Sequence, residues 1–210
     1  DFGPWRFIQY ANQNFTAAYF DYNGRYSFGR QPEAALWALT QLGKSFNKLI
    51  NEKRIIEILN EFSTTFHLSL KRHFCWRIGI QDIDSKSLSE IMNVLLNESE
   101  KHKIEFASFF YDFFGGKEAV IDCLKTNYGN KYKVEGFLKI TDILKDSQSS
   151  KGALEKRKLI NKNRENMLID EVEQIWEEIN KNDNWKLLEK KISKVRKLGN
   201  SLESQKLVNF

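Results

Sequence analysis

The chain opens Asp1-Phe2-Gly3-Pro4, a carboxylate set beside an aromatic ring and a glycine. A hard cation such as Mg²⁺ wants carboxylate oxygens, and it usually keeps only one or two from the protein beside waters and substrate phosphates. Gly3 would let the backbone turn sharply behind such a ligand, because it has no Cβ to clash. Asp1 is therefore a carboxylate that could contribute to such a cation site, with Gly3 as a supporting loop residue. A second cluster, Gly24-Arg25-Tyr26-Ser27-Phe28-Gly29-Arg30-Gln31-Pro32, carries a guanidinium at Arg25 that can fork onto a carboxylate or a phosphate. Arg25 could touch substrate, but locking the loop onto a helical core is the stronger expectation for it. Gly24 closes the turn signal Asp21-Tyr22-Asn23-Gly24 and is expected to serve the backbone.

Other residue types with chemistry in them read as structural. Cys75 and Cys123 stand alone with no C-x-x-C spacing, and are expected to be reduced core thiols. His67 and His73 have no carboxylate partner in sequence and are expected to be structural or exposed. Asp82-x-Asp84 resembles a fragment of a calcium loop but lacks the downstream Gly and Glu that such a loop requires, and is set aside.

These residues need elements to position them. With 210 residues, 41% hydrophobic, sixteen Phe and only two Pro, the chain can bury a sizeable core and reads as mainly α. No apolar run approaches the ~20 residues that span a bilayer, and the aromatic, Gly/Pro-bearing start is unlike a signal peptide. No membrane partner is expected, and a cytoplasmic or mitochondrial-matrix setting fits. Residues 1–32, dense in aromatics and poor in helical periodicity, are expected to form an ordered irregular loop anchored by those rings. Apolar spacing predicts helices over about 33–50, with Trp37 as a core anchor, and over 52–72. Ser87-x-x-Glu90 reads as a capping box opening a helix through about Leu96. Further helices are expected at 101–114, whose dense Phe face should pack in the core, at 117–127 and at 132–145.

The polar stretch 147–152 reads as linker-like. It is followed by a long charged helix over 153–182 and a last one over 184–198. The domain reading is thus a metal-binding Asp and loop over 1–32, a helical core over 33–146, the linker-like stretch, and charged helices over 153–210. Residues 151–210 carry 14 Lys/Arg against 10 Asp/Glu, nearly the whole net charge of +5, yet acidic and basic residues alternate along them as on a solvated face, so no nucleic-acid partner is expected.

Asp-Phe-Gly is also where protein kinases keep the carboxylate that holds the nucleotide's Mg²⁺, and the continuation narrows the resemblance. Asp1, Gly3, Pro4, Phe7, Phe15, Gly24, Arg25, Tyr26, Phe28, Gln31, Pro32 and Trp37 fall in register, without a gap, with the pattern of the selenoprotein O (YdiU) family. Weaker echoes follow at Trp76-Arg77-Ile78-Gly79-Ile80 and Phe106-Ala107-Ser108-Phe109-Phe110. The resemblance implies the C-terminal helical part of a protein-kinase-like (pseudokinase) fold, with 1–32 as an activation-segment-like loop. It implies an enzyme that transfers AMP from ATP to Ser, Thr or Tyr hydroxyls of protein substrates with Mg²⁺ (or Mn²⁺), Asp1 holding the ion. The catalytic base is expected upstream, so this chain alone is expected to be inactive. Three positions depart from the family's pattern: Ala17 stands where some members have Cys, Ala38 follows Trp37 where the family has Asn, and Asn161…Arg164-Glu165-Asn166 lacks the family's Pro. Two rivals stand beside this reading, a non-catalytic helical protein-interaction module and a true protein-kinase C-lobe. Against the second, Gln31-Pro32-Glu33 only partly imitates the kinase Ala-Pro-Glu.

Overall fold

The computed structural model describes residues 6–202, and the expectations placed on Asp1 and Gly3 lie outside them. No strand occurs among the described residues, and the mainly α expectation holds. Residues 6–27 run irregularly and end in a 3₁₀ turn, Phe28–Arg30. Ten helices follow among the described residues: α1 (Gln31–Ser45), α2 (Glu52–Asn60), α3 (Phe62–Ile78), α4 (Ser85–Glu98), α5 (Phe106–Asp112), α6 (Lys117–Leu124), α7 (Glu135–Lys145), α8 (Ala153–Lys162), α9 (Ile169–Asn182) and α10 (Lys186–Leu202). A second 3₁₀ turn, Tyr128–Tyr132, joins α6 to α7.

The aromatic face at 101–114 becomes α5, shorter than expected and at the centre of the core. Phe109 and Phe113 are fully buried with Ile78, Ile91, Leu95, Ile104, Tyr132, Phe137, Ile140 and Leu144. Burying one such Phe side chain stabilises the fold by roughly 1.5–3 kcal/mol relative to leaving it in water. Rings on α5 meet edge-to-face, Phe109 with Phe110 at 5.3 Å and Phe109 with Phe113 at 5.3 Å, the arrangement their quadrupoles favour. Helices α4, α6 and α7 pack together on one side of this core. On the other, Tyr111, Phe114, Ala153 and Ile160 form a smaller cluster that docks α8 and α10.

Several local expectations shift, each for a physical reason. The helix expected at 52–72 is interrupted at Glu61, whose N–H reaches back only three residues to Ile58. The capping box at Ser87 gives way to Asp84, whose carboxylate accepts from the N–H groups of Lys86 and Ser87 at 3.0 Å each and opens the helix earlier. The helix expected over 153–182 is two helices, because Asn163, Arg164 and Glu165 turn to partners on other elements. The stretch 147–152 is stitched to the main core. The Gln81 N–H donates to the Gln148 carbonyl, the Ser150 N–H to the Gly79 carbonyl, and Ser149 Oγ to the Gly115 carbonyl.

The largest correction concerns α1. Trp37, expected as a core anchor, is 52% exposed, and no residue of α1 or α2 is buried. Helix α1 packs on α2 and on the 3₁₀ turn before it, and α2 also meets α3, with Ile55 seated against Gly43. Among the described residues no third element covers the stripe of Leu42, Phe46, Leu49 and Ile50, so periodicity made the helix amphipathic without burying its face.

Candidate functional site

The loop after the opening motif is held by backbone and carboxylate bonds, and by some of its rings, Phe28 meeting Phe106 edge-to-face at 5.9 Å. Asp21 accepts from the N–H groups of Arg25 (2.9 Å) and Tyr26 (2.7 Å), and the Gly24 N–H donates to its carbonyl at 3.1 Å. Gly24 sits at φ +62°, the left-handed region that glycine enters without strain, so its role is the turn. The loop's ends are tied where the Phe28 N–H meets the Phe15 carbonyl and the Gly29 N–H meets that of Gln13. The Phe106 N–H donates to Gln9 and pins the strand-like entry onto α5. Tyr19, Phe20, Tyr22 and Tyr26 are exposed, so the expectation that the loop's rings anchor it holds only for part of them. Arg25 places its guanidinium 5.5 Å from the Trp37 ring, a cation–π contact between loop and α1. Of the three sequence-predicted site residues, only Arg25 is among the described residues, and it is given a loop-to-helix contact.

A cleft of about 770 Å³ begins where this loop begins. Arg6, Phe7, Ile8 and Gln9 form one lip, α3 and α5 the floor, and Glu165–Leu168 with α10 the far wall. Its lining is mostly apolar, and its polar groups gather around Arg77 on α3. That guanidinium lies 5.3 Å from the Phe110 ring and 4.8 Å from the Tyr111 ring, stacked on both. Its Nη1 is buried with no hydrogen-bond acceptor among the described residues. Burial pushes the Arg77 pKa down, and the adjacent Tyr111 partly opposes the shift. The Tyr111 hydroxyl donates to the Glu165 carbonyl at 2.5 Å, so the far wall hangs on α5.

Two ion-pair networks hold that wall. Asp112, the last residue of α5, has a side chain only 2% exposed. Its carboxylate accepts from Arg164 Nη1 at 2.6 Å and the Tyr132 hydroxyl at 2.5 Å, with Lys131 Nζ at 3.2 Å. Burial first, then the Asp112 charge, pushes the Tyr132 phenol far above its ordinary range. In the second network Lys191 on α10, almost fully buried, bonds Glu165 (2.8 Å), Glu171 (2.6 Å) and the Asn166 carbonyl. Burial alone would lower the Lys191 pKa, but the two carboxylates outweigh it and hold it above its usual value. Lys194 adds a 2.9 Å pair to Glu165, whose carboxyl these lysines hold low against its own burial.

The remaining candidates fall into structural places. Both cysteines are buried free thiols, as expected. His67 bonds the Ser63 carbonyl within its own helix, and His73 lines the cleft one turn before Arg77. Asp82 pairs with Lys71 at 2.8 Å, and Asp84 caps α4. Among the described residues no group of three or more His, Cys, Asp or Glu is arranged to hold a metal. Sequence reasoning placed Arg77 and Arg164 inside motif segments without giving either a role. Asp112 and Lys191 carry no local signal, since Tyr132 and Arg164 lie 20 and 52 residues from the first and Glu171 and Glu165 lie 20 and 26 from the second.

Comparison with known proteins shows which family the chain resembles. Residues 1–196 match the family model described as protein adenylyltransferase SelO. Over 112 residues the chain is 29% identical to a protein named protein nucleotidyltransferase YdiU from Trichormus variabilis, covering 53% of this chain and 23% of that one. A protein of the same name from Synechocystis is 41% identical over 66 residues, 31% of this chain and 14% of the other. The one from Vibrio cholerae is 28% identical over 129 residues, 58% of this chain and 26% of the other. The chain thus spans about a quarter or less of the length of these relatives.

Proposed function

The chain belongs to the protein adenylyltransferase SelO family, and on that premise we propose that it is the part of a protein adenylyltransferase that carries the metal-binding carboxylate. The observation that carries this reading is a family match that starts at Asp1 and runs through the in-register Gly24-Arg25-Tyr26…Gln31-Pro32…Trp37. In the proposed reaction a Ser, Thr or Tyr hydroxyl of a protein acceptor attacks the α-phosphorus of ATP. The new O–P bond forms as the bond to the β-phosphate bridging oxygen breaks; pyrophosphate leaves with that electron pair, and a base takes the hydroxyl proton. No residue of this chain is assigned as that base, and the chain acting alone is proposed to be inactive.

Asp1 would hold a Mg²⁺ (or Mn²⁺) ion against the nucleotide's phosphates. Such an ion, when bound, supplies neutralisation of the charge that grows on the leaving pyrophosphate. The loop ordered by Asp21 and Gly24, and tied to α1 through Arg25 and Trp37, supports an activation-segment role within a kinase-like fold. Protein acceptors and ATP are the proposed partners, in the cytoplasm or a mitochondrial matrix, with neither nucleic acid nor membrane. No helix among the described residues is long and apolar enough to cross a bilayer.

The test is transfer of label from α-labelled ATP, with Mg²⁺, by the intact protein and by its Asp1→Ala variant. Label on protein that vanishes in the variant is the expected result. Labelling from γ-labelled ATP in its place would make the enzyme a phosphotransferase, and no label from either would remove the transferase reading.

A further inference from the structure

Arg77 gives the cleft a feature that the adenylyltransferase reading does not use. A guanidinium keeps its charge and offers only donors, yet Nη1 of Arg77 is buried without an acceptor among the described residues. The acidic side chains lining the cleft are already engaged. Glu165 is bound by Lys191 and Lys194, and Glu105 accepts from Gln9 and Ser108. Of the other basic residues in the lining, Arg6 stacks on Phe15 5.0 Å away, and His73 sits on the same helix one turn earlier. The walls around Arg77 are apolar and adaptable, with Phe74, Phe106, Phe110, Met92, Met167 and Leu198. The volume of about 770 Å³ lies inside the range of about 300–1,000 Å³ usual for small-molecule sites.

We propose that this cleft binds an amphipathic monocarboxylate, its carboxylate forked onto Arg77 and its alkyl or aryl body laid along the Phe and Met walls. Arg77 sets one positive charge among the ring walls, while Arg6 stands at the lip over Phe15. A dianionic phosphate would leave excess charge in an apolar surround, where an unpaired ion is costly. Stacking on Phe110 and Tyr111 holds the fork flat and pre-organised for a planar carboxylate.

Calorimetric titration of the intact protein at pH 7 with octanoate, octanol and octylamine, all below their aggregation limits, tests the assignment. Octanoate is expected to bind one site, about tenfold or more tighter than octanol, a difference set by the Arg77 charge, and octylamine is expected not to bind. Arg77→Met keeps the stem between the two rings and is expected to bind octanol as the wild type does while losing the preference for octanoate. Arg77→Lys should keep part of that preference. Val195→Trp, at a half-exposed lip position, should weaken both ligands, with far-UV dichroism and melting confirming the fold of each variant. Equal binding of octanoate and octanol, an unchanged preference in Arg77→Met, or no binding by the folded wild type would each overturn the proposal. None of these readouts depends on AMP transfer, so failure here and failure of the adenylyltransferase reading are separate results.

Discussion

Asp112→Asn is the perturbation whose size the structure sets best. The carboxylate is buried at the end of α5 and is shared by Arg164 from the loop after α8, Lys131 from the second 3₁₀ turn, and the Tyr132 hydroxyl. The amide keeps the volume but leaves two cations without their counter-charge. Removing one partner of a buried ion pair costs about 3–5 kcal/mol. Arg164 and Lys131 are 35% and 23% exposed, so water recovers part of that loss. The expected destabilisation is about 3 kcal/mol. For a chain of this length that lowers Tm by about 6–12 °C. Urea unfolding followed by far-UV dichroism is the assay, read as a lowered midpoint at unchanged m-value. Glu33→Gln, which breaks the exposed Arg30–Glu33 pair, serves as comparison and should cost less than about 0.5 kcal/mol. Combining Asp112→Asn with Tyr132→Phe should cost less than the two single losses added, because Asp112→Asn weakens the same hydrogen bond that Tyr132→Phe removes. An Asp112→Asn loss below about 1 kcal/mol, or strict additivity with Tyr132→Phe, would refute the network.

Two further predictions concern the core. Cys123 has its thiol pKa pushed up to about 11 by burial first and the Asp112 charge second. Native Cys123 should therefore resist a thiolate-directed disulfide reagent at pH 8 and react at once on unfolding. Because the folded pKa is the raised one, the unfolded chain releases its thiol proton first as pH climbs from the ordinary value of 9.0. Stability should then fall as pH rises towards about 11, and Cys123→Ser should blunt that alkaline decline. Gly79→Ala meets two obstacles at the end of α3. The residue sits at φ +71°, and a Cβ there would lie 3.0 Å from the Phe114 ring and 3.1 Å from the Gly115 nitrogen. The left-handed backbone alone costs about 1–2 kcal/mol, and a urea midpoint unchanged in this variant would sink the argument.

Local readings fared best where one stretch of chain supplies both the pattern and its cause. Phe106, Phe109, Phe110 and Phe113 are spaced for one helical face, and that face is the core because nothing but burial suits so many rings together. Asp21 through Gly24 encodes its turn because a short carboxylate and a glycine are all it needs. The family, too, is legible in the opening residues, since the motif from Asp1 to Trp37 is local. What the tertiary structure alone decided is everything that depends on a distant partner. Periodicity marks Trp37 and Phe46 as apolar-faced, but only the fold says whether a third element covers them, and none of the described ones does. Helical propensity runs on through Asn163–Asn166, yet the helix breaks there because Asp112 and Lys191, remote in sequence, hold Arg164 and Glu165. The cleft around Arg77 belongs to the same class. Its walls come from the first loop, α3, α5 and α10, and the burial that leaves one guanidinium nitrogen without an acceptor exists only once those segments meet.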